Sequence, residues 1–103
     1  MGTLGFGYIA THPGELLKEE IETRGISQRK LAEIMGISHT VLNDILNERR
    51  ALTTGTALLF EAALGISADL LMRMQMKYNM QTMRQDKTFS ERLMEIRKIC
   101  AAL

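Results

Sequence analysis

Apolar positions recur at helical spacing along most of the chain, and short polar breaks punctuate them. Leu16, Leu17 and Ile21 share one face of a first helix, opened by His12-Pro13-Gly14-Glu15. Proline forces its predecessor into extended geometry, which makes His12 the cap, and proline itself suits the first helical position, where its missing N–H costs nothing. Glu15 falls in the first turn, where the helix dipole favours an acid. Leu31, Ala32 and Met35 give the inward face of a second helix over Gln28 to Met35, capped by Ser27. Val41, Leu42 and Ile45, with Leu46 beside them, do the same for a third helix, capped by Ser38 and reaching about Glu48. Ala57, Leu58, Phe60 and Leu64 mark a fourth, capped by Thr53 or Thr54, and a fifth starts at Ala68 behind Ser67. The triplets Gly25-Ile26-Ser27, Gly36-Ile37-Ser38 and Gly65-Ile66-Ser67 are one punctuation device: glycine ends a helix, isoleucine is buried, serine caps the next.

The fifth helix carries two apolar stripes. Leu70, Leu71, Met74 and Tyr78 form one; Met72, Met76, Met80 and Met83 form the other, with Arg73, Gln75, Lys77 and Asn79 between them. A helix that is apolar on both sides needs two apolar neighbours. One is the set of four preceding helices, and the other is a partner chain or the chain's own last helix. Gln85-Asp86-Lys87-Thr88 predicts a polar connection, after which Ser90 opens a last helix. Phe89, Leu93, Ile96, Cys100 and Leu103 form its apolar stripe, and the methionines are its natural dock, either in cis or across a dimer. The stripe of Met72, Met76, Met80 and Met83 is therefore the predicted dimerisation surface, and Cys100 is expected to be buried. Residues Met1 to Thr11 hold three glycines and no helical period, and read as a flexible arm.

A chain of 103 residues with 46% apolar composition supports one domain with a core. Its single cysteine excludes an internal disulfide, and no Cys/His run has zinc spacing, so neither metal nor cofactor is expected. Aromatic residues are only 5% and Trp is absent, which argues against a stacking platform for single strands. No Ser/His/Asp set, phosphate-cradling glycine loop or HExxH is present, so no enzyme is expected. No apolar run approaches the roughly 20 residues that span a bilayer, and no charged segment followed by an apolar stretch opens the chain. The expected location is cytoplasmic and nucleoid-associated. Net charge is +1, but it is unevenly spread. The part through Asp69 has 6 basic against 9 acidic residues, and the rest has 7 against 3. A polyanion-binding surface in the first part must therefore be a local cluster.

The informative spacing is Gln28-x-x-x-Ala32-x-x-x-Gly36-Ile37-Ser38, followed by Leu42 and Ile45. Two helices joined by a three-residue turn cross steeply. Ala32 must be small where the third helix approaches, and Gly36 permits the positive φ of the turn. Residues Gln28 to Asn47 resemble the helix-turn-helix of the lambda-repressor-like (XRE) superfamily. The resemblance widens on both sides: His12-Pro13-Gly14-Glu15 is similar to the opening of HigA-type antitoxins, and Asn47-x-Arg49-Arg50, Leu52-Thr53 and Thr56-Ala57 to the stretch after their recognition helix. It covers about Thr11 to Tyr78. Leu70 and Leu71 stand where that family commonly has aromatic residues.

The resemblance implies an all-α fold: a five-helix lambda-repressor-like DNA-binding domain with an extra C-terminal helix. The divisions are a flexible arm over 1–11, the helix-turn-helix domain over 12–84, and a C-terminal helix for packing or dimerisation over 85–103. It further implies that the third helix enters the major groove of double-stranded operator DNA. The outward residues His39, Thr40, Asn43, Asp44 and Asn47 are then the expected base readers: Asn43 suits adenine, Thr40 the thymine methyl, and Asp44 a cytosine amine. Gln28 and Ser38 at helix starts, with Arg29, Lys30, Arg49 and Arg50, are the expected phosphate-binding residues. The implied partners are operator DNA, a second copy of the chain, and a RelE/HigB-like ribonuclease toxin. Two alternatives stand beside this: a stand-alone XRE-family regulator, and an interaction module that has lost DNA, for which the acidic first part and Asp44 speak.

Overall fold

The computed structural model describes residues 10–103 of the chain. Among these residues there are six helices and no strand: α1 (Pro13–Arg24), α2 (Gln28–Met35), α3 (His39–Leu46), α4 (Thr54–Leu64), α5 (Ala68–Gln85) and α6 (Lys87–Ala101). The Met1–Ile9 part of the predicted arm lies outside the described residues. Its last part is not loose: Ala10 is buried, and its N–H donates to Gln81 Oε1 of α5 at 2.7 Å.

The helix boundaries follow local chemistry. His12 caps α1 in extended geometry, its ring accepting from the Gly14 N–H, with Pro13 in the first turn. Ser27, Ser38, Thr53 and Ser67 cap α2 to α5 through side-chain oxygens. Each such cap is worth about 0.5–2 kcal/mol. The tight α2–α3 turn depends on Gly36 at φ 72°, and the Ile37 N–H returns to the Ala32 carbonyl at 3.0 Å. Gly14 meets a different demand. A Cβ there would run into the carbonyl oxygen of Ile45, so glycine lets the start of α1 lie directly on the end of α3.

α3 ends at Leu46 rather than near Glu48, and the reason is a turn without glycine. Glu48 itself takes φ 63°, and the Arg49 N–H reaches back to the Asp44 carbonyl at 2.8 Å. A left-handed non-glycine residue costs about 1–2 kcal/mol. The turn folds the following arginines back along α3.

α1 packs on α3 and α5, α2 on α3 and α4, and α4 on α5. Phe60, Leu17, Ile21, Leu42, Ile45, Leu46 and Leu71 are the largest fully buried apolar side chains. Burying such a side chain fully contributes about 1.5–3 kcal/mol. Leu58 and Leu70, expected inside, are 53% and 44% exposed. On α4 and α5 the inward phase runs instead through Ala57, Phe60 and Leu64, and through Ala68, Leu71 and Gln75. Gln75, expected as a polar separator, is 2% exposed.

The C-terminal part departs most from expectation. The 85–88 connection shrinks to one residue: Asp86 accepts from the Phe89 N–H and caps α6, which begins at Lys87, ahead of Ser90. The Ser90 hydroxyl donates to the Arg84 carbonyl. α6 buries none of its residues, and Cys100 is exposed. Of the two docks open to it, the one within its own chain is not taken: Met76, Met80 and Met83 are 46–61% exposed, and Met72 is half-buried.

Candidate nucleic-acid interface

The α2–turn–α3 unit places one polar surface on the outer side of α3. Leu42, Ile45 and Leu46 anchor the opposite side in the core, so the helical period turns Thr40, Asn43 and Asp44 outward, with His39 half-buried at the first turn. Ser38 caps the helix, its Oγ accepting from the Val41 N–H at 3.0 Å.

Asn43 is the centre of this surface. Its Nδ2 donates to Gln28 Oε1 at 3.3 Å, and its Oδ1 accepts from Arg49 at 2.8 Å. The amide orientation is thereby set from both sides, by the first residue of α2 and by the segment after α3. A carboxamide has two N–H donors and two oxygen lone pairs. Each end of Asn43 therefore keeps one site for a bidentate partner.

Asp44, the acid of this face, is paired. Arg49 stands 3.1 Å and Arg50 3.8 Å from its carboxylate oxygens. Arg49 Nε also donates to Asp44 Oδ1 at 3.2 Å. Arg49, Arg50, Asn43 and Asp44 thus form one connected cluster, with Gln28 at its edge.

The remaining site residues divide. Arg29 and Lys30 are exposed on the first turn of α2, where Lys30 pairs with Glu33 at 3.2 Å. Asn47 does not join Asn43 on the outer side. Its Oδ1 accepts from Lys18 of α1 at 3.2 Å, and its Nδ2 donates to the Asn43 carbonyl at 2.9 Å. It lines a groove shared with Glu15, Glu19, Glu22 and Glu48, surroundings that repel a phosphate. The Lys18 contact escaped sequence reasoning, since only packing of α1 on α3 brings the two residues together.

Behind the cluster lies His12, 2% exposed. Its ring stands edge-on to Tyr78 of α5, centroids 4.9 Å apart at 84°. Burial holds its pKa below the ordinary histidine value, against the opposing pull of the Glu48 carboxylate and the Arg50 backbone. A neutral ring is the form that can accept from Gly14.

Met76 and Met80 line an open groove on α5 together with Lys77, Gln81 and Arg84. Among the described residues, no group of His, Cys, Asp and Glu is placed to hold a metal ion, and no helix is long and apolar enough to cross a membrane.

Two helices joined by a tight turn, the second polar and amide-centred on its outer side with flanking arginines, define a helix-turn-helix DNA-binding domain. The Helix-turn-helix family model matches residues 17–71, and the chain belongs to that family, in its XRE type. It is 37% identical over 79 residues to Virulence-associated protein I of Dichelobacter nodosus, an alignment spanning 76% of this chain and 73% of that one. Among solved structures, antitoxin GraA superposes with a TM-score of 0.72 at 30% identity, over 77% of this chain and 86% of its own. The Pseudomonas aeruginosa antitoxin HigA, solved with the higBA promoter, gives 0.69 at 30% identity, over 73% and 83%. The family and fold are those of DNA-binding regulators and antitoxins, and the resemblance to HigA-type antitoxins read from the sequence holds.

Proposed function

We propose that the chain is a sequence-specific repressor that reads double-stranded operator DNA with α3 as a homodimer, and that it is a HigA-like antitoxin autoregulating the operon of a type II toxin–antitoxin module. The observation that carries the DNA reading is Asn43, held between Gln28 and Arg49 with one donor and one acceptor left outward. An amide oriented in this way suits the N6 and N7 edge of adenine. His39, Thr40 and Asp44 flank it as further base readers. Gln28, Arg29, Lys30, Ser38, Arg49 and Arg50 are assigned to phosphates. Asn47, tied to Lys18, serves as the link from α1 to the recognition helix rather than as a reader.

The antitoxin reading is supported by the likeness to GraA and HigA, the second of which was solved with a promoter. The partner is a RelE/HigB-like ribonuclease toxin. The homodimer reading is supported by the open methionine stripe of Met72, Met76, Met80 and Met83 together with an α6 none of whose residues is fully buried in its own chain. The interaction-module alternative drew on Asp44, and the two arginines beside that carboxylate weaken its argument.

The test is duplex binding to the DNA just upstream of this protein's gene, at two salt concentrations, with wild type and Asn43→Ala. Tight, salt-sensitive binding is expected, and the variant should lose ~1–3 kcal/mol of discrimination against scrambled sequence. Absence of binding, or indifference to Asn43, removes the sequence-reading function. Co-expression with the neighbouring reading frame tests the toxin: a co-purifying ribonuclease supports the antitoxin reading, and a bare neighbourhood leaves a stand-alone regulator.

A further inference from the structure

Two buried polar side chains play no part in the outer surface of α3, and one of them holds the segment that follows it. Gln75 of α5 is 2% exposed. Its Oε1 accepts from the Leu52 N–H at 2.8 Å, and its Nε2 donates to Asn79 Oδ1 at 2.9 Å. His12 is equally buried and stands edge-on to Tyr78 of the same helix. Leu52 is itself 3% exposed. The chain leaving α3 is thus fastened through its backbone at Leu52, and the fastening leads to α5. The side chains of Arg49 and Arg50 project from the fastened stretch and are more than half exposed.

We propose that Gln75 is a positioning residue for duplex binding: from the α5 side of the core it fixes the backbone at Leu52, and with it the place from which Arg49 and Arg50 reach the DNA. The inference rests on the duplex-binding reading above. The physical ground is preorganisation. A loop that must be ordered on binding loses conformational entropy at that moment, and a loop already held does not. A polar side chain buried among apolar ones is costly unless bonded. Gln75 answers that cost with a backbone N–H that has no helical partner, the one at Leu52.

The experiment measures the slope of log affinity against log salt on the operator duplex. Each neutralised phosphate contributes about 0.9 to that slope. Gln75→Met keeps the length of the side chain and removes the acceptor. It is expected to lower the slope by about one to two, and adding Arg49→Ala and Arg50→Ala to it should cost little more, because the arginines are already displaced. A variant with a lower melting temperature but the wild-type slope makes Gln75 a structural residue only and overturns the proposal. If Gln75→Met does not fold, Gln75→Glu carries the test. It retains an oxygen for the Leu52 N–H and should rescue the slope; a slope as reduced as that of the arginine variants overturns the proposal. Failure of the underlying reading looks different: the wild type itself then shows no salt-dependent duplex binding, and the positioning role goes with it.

Discussion

The Arg49 guanidinium lies 3.1 Å from the Asp44 carboxylate, so the acid on the outer face of α3 is neutralised from the segment that follows the helix. Both partners are in contact with water, Arg49 being 59% exposed, and the pair contributes little to stability. Its consequence is for binding. While Asp44 holds Arg49 and, at 3.8 Å, Arg50, those two cations are only partly available to phosphates.

Asp44→Asn should therefore raise affinity for any duplex and steepen the salt slope by about one. The gain should be larger on scrambled DNA than on the operator, so that specificity falls. Anisotropy titrations on both duplexes check this. A net loss on the operator would show that the contact of Asp44 to a cytosine amine outweighs the phosphate repulsion its charge brings.

Acidification should destabilise the fold through His12. Its pKa is lowered, chiefly by burial, so the folded state binds the proton less readily than the unfolded chain does. Stability from this site is complete above the ordinary histidine value near 6.5. It falls as pH drops below that value toward the lowered native one, because a protonated Nδ1 cannot accept from the Gly14 N–H. The groups around the ring are Glu48, which favours the proton and softens the effect, and Tyr78, whose ring meets it edge-on. Urea denaturation from pH 7.5 to 5, compared with His12→Asn, isolates the term: asparagine keeps the cap and does not titrate. Parallel curves for the two proteins would remove His12 as the cause.

Much of the fold was legible because its signals are local. Caps, left-handed glycines and the proline start act through neighbouring backbone groups, and Ser27, Ser38 and Gly36 stand where the sequence put them. The misreadings come from features that packing decides. Gln75 sits in helical phase with Leu71, so its burial was readable from spacing; its polarity hid it, because its partner Leu52 lies 23 residues away. Leu58 and Leu70 reverse the error, as leucines that the phase of their helices turns outward. The turn at Glu48 carried no glycine to announce it. At the candidate interface Asn43 and Asp44 lie on the side of α3 opposite Leu42 and Ile45, whereas Asn47, at the last turn, is drawn off by Lys18 of α1. Cys100 was misplaced because an apolar stripe demands a cover without saying which chain supplies it, the choice left open for α6.

Gly14→Ala should be among the most damaging single-methyl additions in the chain. The new Cβ would meet the backbone oxygen of Ile45, which cannot rotate away as a side chain would. Overpacking of this kind costs about 1–3 kcal/mol. The control is Gly55→Ala in α4, where nothing lies within 4 Å of an added Cβ. There, replacing a helical glycine should stabilise by about 0.5–1 kcal/mol. Denaturant midpoints at unchanged m-value read both effects. Equal destabilisation of the two variants would show that α1 does not sit on the end of α3 as described.

The methionine stripe gives the last prediction. Met76 is 61% exposed, with Met80 at 48% and Met83 at 46%, on a helix whose other side is core. Contiguous apolar surface of this kind marks an interaction site. A second copy of the chain would cover it, and a helix-turn-helix dimer binds two half-sites about one helical turn apart. Charging the centre of the stripe with Met76→Glu adds a carboxylate that a dimer would bury unpaired, while a monomer leaves it in water. The variant should sediment as a monomer at concentrations where wild type is dimeric, keep its helix content by circular dichroism, and lose most of its operator affinity while retaining weak binding to a single half-site. A variant that remains dimeric would move the contact to another apolar patch. The candidate is the one lined by Ile34, Met35 and Leu59 on α2 and α4, which would place the two recognition helices at a different spacing.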